Sequence, residues 1–123
     1  MGRILVVDDE TALTGFLSEL LESRGYNVIV VNNGYDALSV FKQDPTAIDL
    51  VFTDQTMPGI TGAEMATEIL ALRPELPIIL TTGYSELVDE ASAKALGIRA
   101  YLSKPIETQQ ILRTIKELLL YPH

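Results

Sequence analysis

Cysteine is absent from this sequence, which excludes disulfides, thiolate metal sites and cysteine nucleophiles and fits a cytosolic chain. Basic residues are few: 9 Lys and Arg stand against 17 Asp and Glu, for a formal net charge of −8. A nucleic-acid surface needs a basic stripe, so direct nucleic-acid binding is not expected. The acidic excess itself reads as solvated helix faces. No apolar run approaches the roughly 20 residues that span a bilayer, and the N-terminus lacks a signal-peptide pattern. A soluble cytoplasmic domain without membrane contact is the expectation. No G-x-x-x-x-G-K-[ST] loop occurs, which sets a nucleotide-binding fold aside.

What is present is a regular alternation. With 123 residues, 47% of them apolar, the chain fits one domain, 1–123, with a core of its own. Short apolar runs at 3–7, 27–31, 48–53, 77–82 and 100–103 are mostly continuous, as in strands covered on both faces. Stretches of helical period lie between and after them. Leu13, Phe16, Leu17, Leu20 and Leu21 make one stripe, closed by Gly25 after Arg24. Ala37, Leu38 and Phe41 mark a helix over 34–43. Thr61-Gly62-Ala63-Glu64 reads as a capping box opening a helix with Met65, Ile69 and Leu72 inward, ended by Arg73-Pro74. A fourth helix is expected over 86–96, closed by Gly97, and a fifth from 107 to 120 on Ile111, Leu112, Ile115, Leu118 and Leu119. Five strand–helix units imply parallel strands, right-handed crossovers and a doubly wound α/β sheet. Ligands of such sheets bind beyond the C-terminal strand ends.

At those ends stand Asp8-Asp9 after the first strand, Asp54 after the third, Thr81-Thr82 on the fourth and Lys104-Pro105 after the fifth. Taken singly, an aspartate there reads as a turn residue or helix cap and the lysine as a solvated charge. Taken together, three carboxylates, a hydroxyl and an ammonium converge on one rim. Crowded carboxylates repel, and some stay protonated unless a cation joins them. Mg2+ suits: it takes oxygen ligands, tolerates few carboxylates and keeps waters that a phosphate can replace. Lys104 supplies a point charge and Thr82 a hydroxyl, a set that stabilises a phosphoryl group in transfer.

The segments Ile4-Leu5-Val6-Val7-Asp8-Asp9-Glu10, Thr53-Asp54-Gln55-Thr56-Met57-Pro58-Gly59, Leu80-Thr81-Thr82-Gly83 and Tyr101-Leu102-Ser103-Lys104-Pro105 resemble the signature segments of response-regulator receivers. They stand in that family's order and at its intervals, and the resemblance covers essentially the whole chain. It implies the flavodoxin-like strand order 2-1-3-4-5. It also implies a phosphorelay switch of two-component signal transduction. Asp54 would accept a phosphoryl group from a histidine kinase or phosphotransfer domain. Asp9, Asp54 and the Thr56 carbonyl would ligate Mg2+, with Asp8 acting through a water. Lys104 would meet a phosphoryl oxygen, Thr82 would swing toward it, and Tyr101 would turn behind Thr82. The face of the fourth helix, fifth strand and fifth helix would change with them.

Gln55 departs from the pattern, being polar where many receivers are apolar. Thr56 and Tyr84, each two residues past a site residue, would flank the attacking water and modify phosphoryl hydrolysis. A magnesium-dependent phosphatase with an aspartyl intermediate is the enzymatic rival, but residue 56 is not the second aspartate many of them use. An interaction module with a vestigial pocket is the other. His123, the one histidine, reads as a tail residue, so the chain is not itself the kinase. Output falls to a docking partner or a fused domain, with a homodimer through the fourth and fifth helices left open. The runs 53–59 and 81–85 also look like receivers attached to hybrid sensor kinases.

Overall fold

The fold is described from a computed structural model covering residues 2–83 and 89–120. In chain order the elements are β1 (Arg3–Val7), α1 (Thr11–Ser23), β2 (Asn27–Val31), α2 (Gly34–Gln43), β3 (Leu50–Asp54), α3 (Gly62–Leu72), β4 (Ile78–Thr82), α4 (Glu90–Ala95), β5 (Ala100–Ser103) and α5 (Thr108–Leu120). The strands form one parallel sheet in the order β2-β1-β3-β4-β5.

Strand side chains alternate between two cores, one on each face of the sheet. Leu5, Val7, Val51, Ile78 and Leu80 pack with Ala37, Phe41, Met65 and Ile69 from α2 and α3. Ile4, Val6, Leu50, Phe52, Ile79 and Leu102 pack with Leu17 and Leu21 of α1 and Ile111 and Ile115 of α5. Burial on both faces explains the unbroken apolar runs.

Local chemistry moves several boundaries from those the sequence suggests. Ile48 is buried but precedes β3; the neighbouring Asp49 already meets the start of β1 through N–H to Arg3 O at 2.9 Å. Apolarity there marks burial, not strand membership. Pro77 has no N–H to give the ladder, and β4 starts at Ile78. On α1 the buried positions are Thr14, Leu17 and Leu21, while Phe16 is 50% exposed. Thr14 tolerates burial because its hydroxyl donates to Thr11 O at 3.0 Å. Leu72, expected inward, is 53% exposed, since α3 turns Met65, Ala66, Ile69 and Leu70 to the core. The fourth helix begins at Glu90, where the Asp89 side chain accepts Ser92 N–H at 2.8 Å and caps it. Residues 86–88 of the expected helix lie outside the described residues. α5 starts at Thr108 rather than 107.

The α3 start matches the expected capping box: Glu64 N–H donates to Thr61 Oγ1 at 3.1 Å and Thr61 N–H to Glu64 Oε1 at 2.8 Å.

Candidate functional site

Parallel strands bring their C-terminal ends to one rim, and register decides which residues meet there. Asp54 lies opposite Thr81, Val7 opposite Thr53 and Thr82 opposite Ser103. Asp8 therefore leaves β1 beside the end of β3, and Lys104 leaves β5 beside the end of β4.

Asp54 is 5% exposed. Three donors converge on its Oδ1: Gln55 N–H at 3.0 Å, Lys104 Nζ at 3.1 Å and the Thr81 hydroxyl at a longer 3.4 Å. Lys104 is anchored by its own N–H to Thr82 O at 2.8 Å. Asp8 is 3% exposed; its N–H donates to Val31 O, and its Oδ1 accepts Glu10 N–H at 3.0 Å in a tight local turn. Asp9 is exposed. One carboxylate oxygen from each of Asp8, Asp9 and Asp54 lies within 4.8 Å of the others.

The enclosed part of this cluster has a titration signature. Burial pushes the Asp8 carboxyl up from 3.8 to about 6, opposed by the Glu10 N–H and the Lys104 charge and aided by the charges of Asp54 and Asp9. The folded metal-free protein thus holds a proton between about pH 4 and 6 that the unfolded chain has released. Stability falls as pH rises through that window, and above it ionised Asp8 costs roughly 2–3 kcal/mol. Asp8→Asn keeps an acceptor for Glu10 N–H and removes the charge. We expect its metal-free form to be more stable at pH 7 by about 2 kcal/mol, with a flatter profile between pH 4 and 6 in urea unfolding with chelator. An unchanged profile would show that Asp8 ionises without penalty.

The remaining expected residues fall in different places. Thr82 is fully buried at the end of β4. By strand alternation it faces the same side as Leu80, the side on which half-buried Tyr101 packs. Thr56 is exposed in the loop after β3. Tyr84 and His123 lie outside the described residues.

Two contributors escaped the sequence reading. Of the adjacent threonines, Thr81 is the one whose hydroxyl reaches Asp54 Oδ1, and only the register with β3 reveals it. Gln55 is 7% exposed and joins Asp54 to α3 through three hydrogen bonds, with a fourth to Thr81 O on β4; its polarity at a buried strand end was the available signal.

Comparison with known proteins gives a consistent result. The model of the response regulator receiver domain matches residues 4–116. Protein PilH of Pseudomonas aeruginosa is 32% identical over 121 residues, covering 97% of this chain and 98% of PilH. The transcriptional regulatory protein CpxR of Escherichia coli K12 is 34% identical over 123 residues, but the chain spans only 51% of CpxR. Among solved structures, the response regulator TrrA of Thermotoga maritima, crystallised with Mg2+ and beryllium fluoride, is 37% identical with a TM-score of 0.86. The match covers 97% of this chain and 100% of TrrA.

Proposed function

The chain belongs to the response regulator receiver domain family, and from that membership we propose that it is a phosphoacceptor switch, 1–123, with Asp54 as the acceptor. Receivers of this kind are signalling domains of two-component systems, not classical enzymes. The observation that carries the reading is the Asp54 carboxylate, buried at the rim with Lys104 at 3.1 Å and two further carboxylates within 4.8 Å.

The cluster fits Mg2+. Its side-chain donors are all carboxylate oxygens, one from each of three aspartates within 4.8 Å of one another, and the charges of Asp54 and Asp9 add to burial in raising the Asp8 pKa. Asp9 and Asp54, with the Thr56 carbonyl, would hold the ion, and Asp8 would act through a water. Bound there, the ion would supply positive charge to the phosphoryl oxygens during transfer.

An Asp54 carboxylate oxygen attacks phosphorus in line. The P–N bond to the donor imidazole breaks, and the departing nitrogen keeps the electron pair. Lys104 holds a phosphoryl oxygen, assisting the domain's own phosphorylation and dephosphorylation. The aspartyl phosphate adds charge and strong acceptors. Thr82 is drawn to them, and Tyr101, on the same side of the sheet, follows. The surface of α4, β5 and α5 then differs between the two states.

The partners are a cognate histidine kinase or phosphotransfer domain and a downstream protein or fused output domain. No helix among the described residues is long and apolar enough to cross a membrane, and we place the domain in the cytoplasm. Intact mass after incubation with acetyl phosphate and Mg2+ tests the reading. One adduct of about 80 Da is expected, absent with Asp54→Asn or with chelator. A folded wild-type protein that binds Mg2+ but gains no adduct would support the vestigial interaction module instead.

A further inference from the structure

Gln55 is polar at a position that is buried and directly follows the acceptor. Every polar element of its backbone, and its side-chain oxygen, is engaged. Its N–H is shared between Thr81 O at 2.9 Å and Asp54 Oδ1 at 3.0 Å. Its carbonyl accepts Gly62 N–H at 2.9 Å, and its side-chain Oε1 accepts Ala63 N–H at 2.8 Å. Gly62 and Ala63 are the first two residues of α3, whose N–H groups have no partner within the helix. One residue thus satisfies both of them, through its carbonyl and its side chain, while its own N–H holds the Asp54 carboxylate. An apolar side chain of equal size would leave Ala63 N–H, on a buried residue, without this acceptor.

We propose that Gln55 is a positioning residue for Asp54: its carboxamide binds the start of α3 and thereby keeps the Gln55 N–H on Asp54 Oδ1, fixing the carboxylate for attack. The contact is close enough to transmit displacement, since a Cβ built on Gly62 would lie 2.3 Å from Asp54 O. Reaction geometry tolerates little drift; a shift of about 1 Å can cost on the order of 100-fold in rate.

The inference rests on the phosphoacceptor reading. The test compares wild type, Gln55→Met and Gln55→Glu with acetyl phosphate at saturating Mg2+, together with amide exchange at Ala63. Gln55→Met should phosphorylate about tenfold more slowly at saturating donor, with little change in the half-saturating donor concentration and faster Ala63 exchange. Gln55→Glu retains an acceptor for Ala63 and should recover most of the rate. Ala63→Pro removes the same donor from the other side, at a first-turn position that tolerates proline, and should also slow the reaction if Gln55→Met fails to fold. A wild-type maximal rate in Gln55→Met or Ala63→Pro overturns the inference alone, as does an equal loss in the Met and Glu variants. No adduct on the wild-type protein overturns the phosphoacceptor reading and this inference with it.

Discussion

Lys104→Met is expected to lower the maximal rate of Asp54 phosphorylation by about 10²–10³-fold while tightening Mg2+ binding. The two effects have opposite signs for one reason. The ammonium lies 3.1 Å from Asp54 Oδ1, beside a buried carboxylate, where charge is poorly screened. During transfer that charge stabilises phosphoryl oxygens, and removing one such preorganised group costs about 10²–10³-fold. Before transfer the same charge repels a divalent cation approaching the three carboxylates, so its loss should strengthen metal binding by roughly tenfold, or ~1.4 kcal/mol.

Asp54 keeps the Gln55 N–H and the Thr81 hydroxyl in this variant, so the carboxylate stays oriented. Lys104→Arg retains charge but replaces a compact ammonium with a broad planar fork, and partial recovery is expected. Calorimetric Mg2+ titration and phosphorylation rates at saturating Mg2+ separate the two effects. A Met variant with weaker Mg2+ affinity, or a rate within threefold of wild type, would remove Lys104 from the proposed role.

The fold was legible because most strands are built on a continuous apolar run between stretches of helical period, and alternation of that kind admits few topologies. The rim followed from the topology, since parallel strands carry Asp8, Asp54 and Lys104 to the same edge. Finer assignments depended on information with no local signature. The pair Thr81-Thr82 presents two equivalent hydroxyls in sequence, but the pairing of Asp54 with Thr81 decides which one reaches the carboxylate, and register belongs to the sheet as a whole. Phe16 fits the α1 stripe by apolarity, yet packing sets the helix rotation and buries Thr14 instead. Crowding of carboxylates implied an elevated pKa somewhere in the cluster. Burial is the main cause at Asp8, and nothing local in the sequence tells that this residue is enclosed while the adjacent Asp9 stays at the surface. Gln55 acquires its meaning only from Ala63, eight residues later.

Gly62→Ala should destabilise the protein by about 3 kcal/mol, near the upper end for overpacking at a buried site, and sharply reduce phosphorylation of whatever folds. Gly62 is not among the glycines with positive φ, which are Gly25, Gly59 and Gly97; the constraint is space. A Cβ there would lie 2.3 Å from Asp54 O, 3.1 Å from Asp54 C and 2.8 Å from Leu80 Cδ1. Leu80 can rotate, but the Asp54 carbonyl is backbone. Moving α3 outward breaks Gly62 N–H to Gln55 O and Ala63 N–H to Gln55 Oε1. Moving β3 instead strains the pairing of Asp54 with Thr81 and the Gln55 N–H bond to Thr81 O. Either relaxation disturbs the peptide that carries the acceptor. Gly15→Ala provides the control: a Cβ there meets nothing within 4 Å, the residue is exposed within α1, and alanine should stabilise by about 0.5–1 kcal/mol. Urea unfolding of both variants reads the difference directly. If Gly62→Ala unfolds within about 0.5 kcal/mol of wild type, the start of α3 yields without disturbing β3, and the rigid contact inferred between α3 and Asp54 is wrong.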